Sequence, residues 1–227
     1  VAALAAGLAL ASARALPPLP AAARHDHDKG AVAVVLRSPV LVLLLGLTLT
    51  LVVAQFNVWT YIEPFLREEI GMSGGGVSRT LAVFGAAAVV GSLIGGRAAD
   101  ASLRVALLVG IPMLITALVA VQASTAVHRL LQPAVALQAA AFAVLAVSTQ
   151  LAVLKCSPAG AATETASALQ GVVFQVGITA GSAVASGFVE LGMLRSLPTV
   201  SVAVGVVALA LVLVFPRLLC PAPATQP

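Results

Sequence analysis

The chain has 227 residues, of which 60% are hydrophobic and only 9% charged, with a formal net charge of +4. A water-soluble domain carries about a quarter charged residues, so these few cannot cover a hydrated surface and lipid is the expected solvent. The surplus of Lys and Arg is then no sign of a nucleic-acid partner, because its meaning lies in where those residues fall between apolar runs.

Residues 1–13 read as the end of an apolar helix. They are too short to span and lack the basic start of a signal peptide, so the chain is expected to be a piece lacking an N-terminal portion. Arg14 and the breaker Pro17-Pro18-Leu19-Pro20 close that stub. The longest polar segment, 14–38, holds Arg14, Arg24, Lys29 and Arg37 and is expected to be a linker. Six apolar runs follow, at 39–62, 79–96, 103–122, 132–154, 165–189 and 198–216, and a tail of 217–227 ends the chain. Each run is near the length of about 17–25 residues that crosses hydrocarbon. Backbone groups in lipid must be satisfied within the segment, which makes these runs helices. They lack the period-two alternation of barrel strands. The expected fold is an all-α membrane bundle of six transmembrane helices plus a partial N-terminal one.

Counting Lys and Arg on alternate sides orients the bundle. One side collects Arg14, Arg24, Lys29, Arg37, Arg97, Arg104, Lys155 and Arg217, and the other only Arg67, Arg79, Arg129 and Arg195. The richer side is expected to be cytoplasmic. That places the linker 14–38, the turn after residue 94 and the tail inside.

Helical periodicity sorts the polar residues of the spans into stripes. Thr50, Ala54, Asn57 and Tyr61 share one face of the first full span, while Thr48 and Gln55 share another with Trp59. In the fifth, Gln175, Thr179, Ser182 and Ser186 form a polar stripe opposite Gly177 and Gly181. In the second, Phe84, Ala88, Gly91 and Gly95 align, and glycines four apart let a neighbouring backbone approach. The fourth puts Gln138 and Thr149 on one face and Gln150 on another. Such polar groups avoid lipid either by hydrogen bonding between helices or by lining a water-filled cavity. The candidate cavity wall is Asn57, Tyr61, Gln175 and Thr179, with aromatic contact from Phe84.

Three other patterns point to chemistry and are weaker. Gly71-Met72-Ser73-Gly74 matches the nucleophile motif of intramembrane serine proteases, with His128 as the nominal base. That chemistry needs a buried serine paired with a histidine inside another span; here Ser73 lies in a polar loop and His128 at a span's end. His25-Asp26-His27-Asp28 has a metal-binding composition, but Arg24 and Lys29 flank it in a polar linker and solvation explains it. Cys156 and Cys220 lack metal or disulfide-framework spacing. No catalytic residue, metal or cofactor is assigned, and the chain is not expected to be an enzyme.

The order of several short motifs resembles the major facilitator superfamily, in particular the C-terminal half of its bacterial drug:proton antiporter group with twelve spans. Tyr61-Ile62-Glu63-Pro64-Phe65-Leu66 resembles the end of that group's seventh helix, and Gly71-Met72-Ser73 a loop beyond it. Gly95-Gly96-Arg97-Ala98-Ala99-Asp100 resembles the degenerate second copy of the superfamily's loop motif. Phe174-Gln175-Val176-Gly177 stands where the group often has Phe-Asn-x-Gly, so Gln175 departs from the pattern. The basic cluster expected after the motif is thinned to Ala101-Ser102-Leu103-Arg104.

The resemblance implies that 1–13 ends a sixth helix, that 14–38 joins two halves, and that the N-terminal half is missing. It implies proton-coupled efflux of a small organic compound or drug by alternating access in a bacterial cytoplasmic membrane. Gly95, Gly96, Arg97 and Asp100 become a gating motif, with Asp100 capping the next helix or pairing with a facing charge. The membrane-embedded acid of such antiporters belongs to the absent half, in keeping with the lack of any charge in the middle of a full span. Glu63, at a span's end, is the nearest candidate proton carrier, but it reads first as an interfacial charge. A sugar or nucleoside exporter of the same fold, and a truncated product that inserts but moves nothing, are the alternatives.

Overall fold

A computed structural model of the chain describes residues 27–215. The stub at 1–13, residues 14–26 of the linker and the tail at 217–227 lie outside the described residues. Every regular element among the described residues is helical, as lipid requires of a chain that must satisfy its own backbone.

The end of the expected linker is not irregular. Residues His27–Arg37 form helix α1, because the stretch from Ala31 to Leu36 is apolar and contains no breaker. Ala31 and Val35, four apart, are buried. Ser38 then leaves helical geometry at φ −82°, ψ 109°, and Pro39 opens α2 (Pro39–Trp59), where its missing N–H costs nothing. Twenty-one residues span about 31 Å, the thickness of the hydrocarbon. Two short turns, Ile62–Pro64 and the wider Phe65–Glu69, come next. Phe65 and Leu66 are fully buried there and close that end of the core.

In the next element the loop expected at Gly95–Asp100 is helical: α3 (Gly74–Ala123) comprises two helices joined at a kink, and residues 95–100 are turns of the first. Alanines 98, 99 and 101 favour the helix strongly. The break falls on Ser102 alone, in extended conformation at φ −165°, ψ 107°. Its Oγ accepts from the Val105 amide at 3.3 Å, capping the helix that resumes at Leu103 as serine does best. Fifty residues in line would reach about 75 Å, more than any bilayer. The break folds them into two antiparallel arms, 74–101 and 103–123, with Ile94 and Ala98 of one facing Val105, Val109 and Met113 of the other.

Helices α4 (Leu131–Cys156), α5 (Ala161–Glu190) and α6 (Leu197–Val214) complete the bundle. Five helices are long and apolar enough to cross a membrane, and the break in α3 divides one of them into two membrane-length arms.

Contacts fix the directions. The first arm of α3 runs parallel to α4: Gln132 meets Thr80, Gly91 meets Ala140, Gly95 meets Val144, and Lys155 meets Asp100. In the same way α5 runs parallel to α2, with Gly177 against Val52 and Gly181 against Val53. Helix α6 runs antiparallel to α2 and to the second arm: its start meets the end of each, in Asn57–Ser201 and Gln122–Thr199, and Ile115 meets Gly205 further in. The second membrane-length segment therefore leans on the fourth through a glycine pair, and the fifth leans on the first through another. Neither glycine pair tolerates a side chain. A Cβ on Gly91 would lie 2.5 Å from the Ala140 carbonyl oxygen, and one on Gly181 would lie 2.9 Å from that of Val53.

Candidate functional site

Polar groups inside the bundle divide into those that lock helices together and those left open. Asn57 belongs to the first set. It is fully buried, and its Nδ2 donates to the Leu197 carbonyl and to Ser201 Oγ, both at 2.9 Å. This expected wall residue thus faces the start of α6. Tyr61 does not extend the stripe of Asn57: α2 ends at Trp59, and Tyr61 sits half-buried in the turn beyond at φ −111°, ψ 23°. On another face of α2, Gln55 accepts from Gln138 Nε2 of α4 at 3.3 Å, both side chains being buried.

Gln175 and Thr179 belong to the second set. Both are exposed on α5, on the side away from Gly177 and Gly181. Thr179 Oγ1 returns its proton to the Gln175 carbonyl at 3.0 Å, as hydroxyls in apolar helices commonly do. The Gln175 carboxamide makes no hydrogen bond among the described residues. An open concavity runs along this face, and Gly171, Gln175, Thr179 and Ala183 among its lining residues all come from α5 itself. No second helix of the described chain forms an opposite wall. Only 17% of the membrane-length window of α5 is buried, against 33–50% in the other four helices. Helix α5 is thus the least covered, and it carries an unpaired amide in mid-span.

Beside this face lies a feature that sequence reasoning missed. Phe56 of α2, Phe142 of α4 and Phe174 of α5 meet with ring centroids 6.2–6.3 Å apart, the spacing of edge-to-face and tilted pairs. One turn beyond Phe56, Trp59 stacks on Phe84 of the first arm at 3.5 Å and 23°. All five rings are half-buried. Phe84 was expected near the site, whereas the trio comes from three separate runs and has no local pattern. The sole signal in the sequence is that Phe142 lies one turn after Gln138 and Phe174 adjoins Gln175.

At the end of the bundle that carries Ser102, Asp100 and Lys155 form an ion pair at 3.0 Å between the first arm and α4. Of the two roles expected for Asp100, the structure places it in the pairing one. Arg97 instead donates to the carbonyl of Leu93 on its own helix at 3.3 Å. Gly95 packs on Val144, while Gly96 has nothing within 4 Å. Both partners of the ion pair are exposed, so its contribution to stability is small, under about 1 kcal/mol. Asp100→Asn is expected to shift unfolding in detergent by less than about 0.5 kcal/mol, read from a denaturation midpoint; a larger loss would make the pair a structural rivet.

At the opposite end Glu63 pairs with Arg67 at 2.9 Å within one helical turn, both exposed. Ser73 caps α3, its Oγ facing the Gly76 amide at 3.4 Å, and His128 lies exposed in the turn before α4. Each of these positions has a local, interfacial explanation. No protein-family description matches this chain.

Proposed function

We propose that the chain is the C-terminal, six-span half of a major-facilitator transporter of the drug:proton antiporter kind, exporting a small organic compound across a bacterial cytoplasmic membrane by alternating access. The observation that carries this reading is the open face of α5. An amide facing hydrocarbon costs several kcal/mol (about 2–7), so Gln175 calls for a partner helix or a water-filled cavity. In an intact transporter the other half supplies the opposite wall.

The packing supports the same reading. Segment two leans on four as five leans on one, which is the pattern two inverted three-helix units produce. The wall is then drawn from Gln175 and Thr179 with the rings of Phe174, Phe142, Phe56 and Phe84, a mostly apolar surface with few hydrogen-bonding groups, as small-molecule sites generally are. Asn57 drops out of it as a structural lock. The Asp100–Lys155 pair serves as a latch that holds the Ser102 end in one state and parts in the other. Protons enter the reading through the resemblance alone; the acid that carries them belongs to the other half.

In the full-length protein, Gln175→Ala and Phe174→Ala are expected to lower substrate affinity at least about tenfold together, measured by transport into inside-out vesicles at matched expression. Unchanged KM and rate in both variants would remove the α5 face from the substrate path.

A further inference from the structure

Away from that face, the two arms of α3 and α4 enclose a second hollow of about 190 Å³ with no polar lining. Ile94, Ala98, Val105, Val109, Met113 and Val144 line it. Ile94, Val105 and Val109 are each just over half exposed, so the hollow opens sideways to the surrounding lipid. Beneath it the helices pack closely at glycines: a Cβ on Gly91 would meet the Ala140 backbone, and one on Gly110 would lie 2.8 Å from Leu145 Cδ2. An apolar hollow of this size is large enough for an apolar guest, since one of about 150 Å³ holds a benzene-sized molecule.

The charges next to its lining residues in the chain point to the guest. Ala98 and Val105 flank the reversal at Ser102, and each is preceded by an exposed arginine, Arg97 and Arg104. The one acid nearby, Asp100, is already paired with Lys155. Neither arginine has an ion-pair partner among the described residues. The hydrogen bond from Arg97 to the Leu93 carbonyl holds its guanidinium along the outer side of the first arm, and Leu93 itself is exposed. Two exposed guanidinium groups without an ion-pair partner among the described residues, each next in the chain to a residue that lines an apolar slot, match a molecule with a phosphate head and a hydrocarbon tail.

We infer that the cleft between the arms of α3 and α4 is a binding site for an anionic phospholipid, its acyl chain in the slot and its headgroup between Arg97 and Arg104. This inference rests on the membrane-spanning character of the helices and not on the transport reading.

The test uses the full chain in detergent with equal amounts of phosphatidylglycerol and phosphatidylcholine of the same chain length, with retained lipid counted by native mass spectrometry. The expected result is preferential retention of phosphatidylglycerol. Arg97→Gln and Arg104→Gln each reduce that preference about fivefold, and Ala98→Phe, which fills the mouth of the slot, lowers retention of both lipids. Soluble glycerol phosphate fails to displace the bound lipid. Equal retention of the two lipids by the wild type, a preference untouched by both glutamine variants, or displacement by glycerol phosphate overturns the site. The arginines are exposed, so the glutamine variants decide the matter even where Ala98→Phe does not fold.

Discussion

Gly91→Leu separates the first arm of α3 from α4 and destabilises the bundle by about 3 kcal/mol or more, while Gly85→Leu on the same arm is tolerated. The difference lies in what each new side chain meets. At Gly91 a Cβ would sit 2.5 Å from the Ala140 carbonyl oxygen and 2.6 Å from its Cα; at Gly85 nothing lies within 4 Å. Overpacking a side chain into a well-packed core costs about 1–3 kcal/mol. Here the obstacle is backbone, which has no rotamer to escape into, so the upper end applies. Contacts along the seam are lost as well, because helices in lipid associate through close packing rather than water exclusion. Both variants would be compared by denaturant titration in the same detergent. Equal midpoints would mean that the glycine pair does not set the approach of the two helices.

Asn57→Ala is expected to cost about 2–3 kcal/mol of stability and leave the substrate KM of the folded fraction unchanged. The side chain makes two 2.9 Å hydrogen bonds across the seam. Interhelical hydrogen bonds in membranes average well under 1 kcal/mol, reaching about 1.7 at most, so the bonds alone do not reach that figure. Truncation also opens a void in a fully buried position and leaves Ser201 without a partner, which adds about 1–3 kcal/mol. A double-mutant cycle with Ser201→Ala separates the terms, and its coupling energy should lie near 1 kcal/mol. Gln175→Ala should do the reverse: little change in stability, because the amide is exposed and unpaired, and a change in KM. If Asn57→Ala raised KM without lowering the unfolding midpoint, Asn57 would belong to the substrate path after all.

These contrasts mark how far the residues could be read in order. The glycine stripes were legible because spacing of four on a helix dictates a shared face, and Gly91 and Gly95 do share the face that meets α4. Asn57 and Gln175 were equally legible as polar residues on stripes, but not as having opposite fates. A stripe has a direction only relative to its own helix axis. The rotation that turns Asn57 into the α6 seam, and Gln175 out of the bundle, is set by packing against partners more than a hundred residues away for Asn57. The helical state of Gly95–Asp100, ahead of the turn at Ser102, was missed for a related reason. Glycines and charges at 95–100 look like a loop to local rules, yet alanines carry the helix through them and a single serine absorbs the reversal.

Composition and run length by themselves pointed to helices long and apolar enough to cross a membrane, which the described residues form, because too few charged residues remain to cover a hydrated surface. They also determined roughly where each membrane-length segment lies, since backbone satisfaction in hydrocarbon admits no other local structure. Three-dimensional packing decided which segment leans on which, that Asp100 takes Lys155 while Arg97 and Arg104 have no ion-pair partner among the described residues, and that three phenylalanines from separate runs converge beside Gln175. Those outcomes depend on the relative rotation and depth of helices distant in sequence, and no periodicity within one helix encodes them.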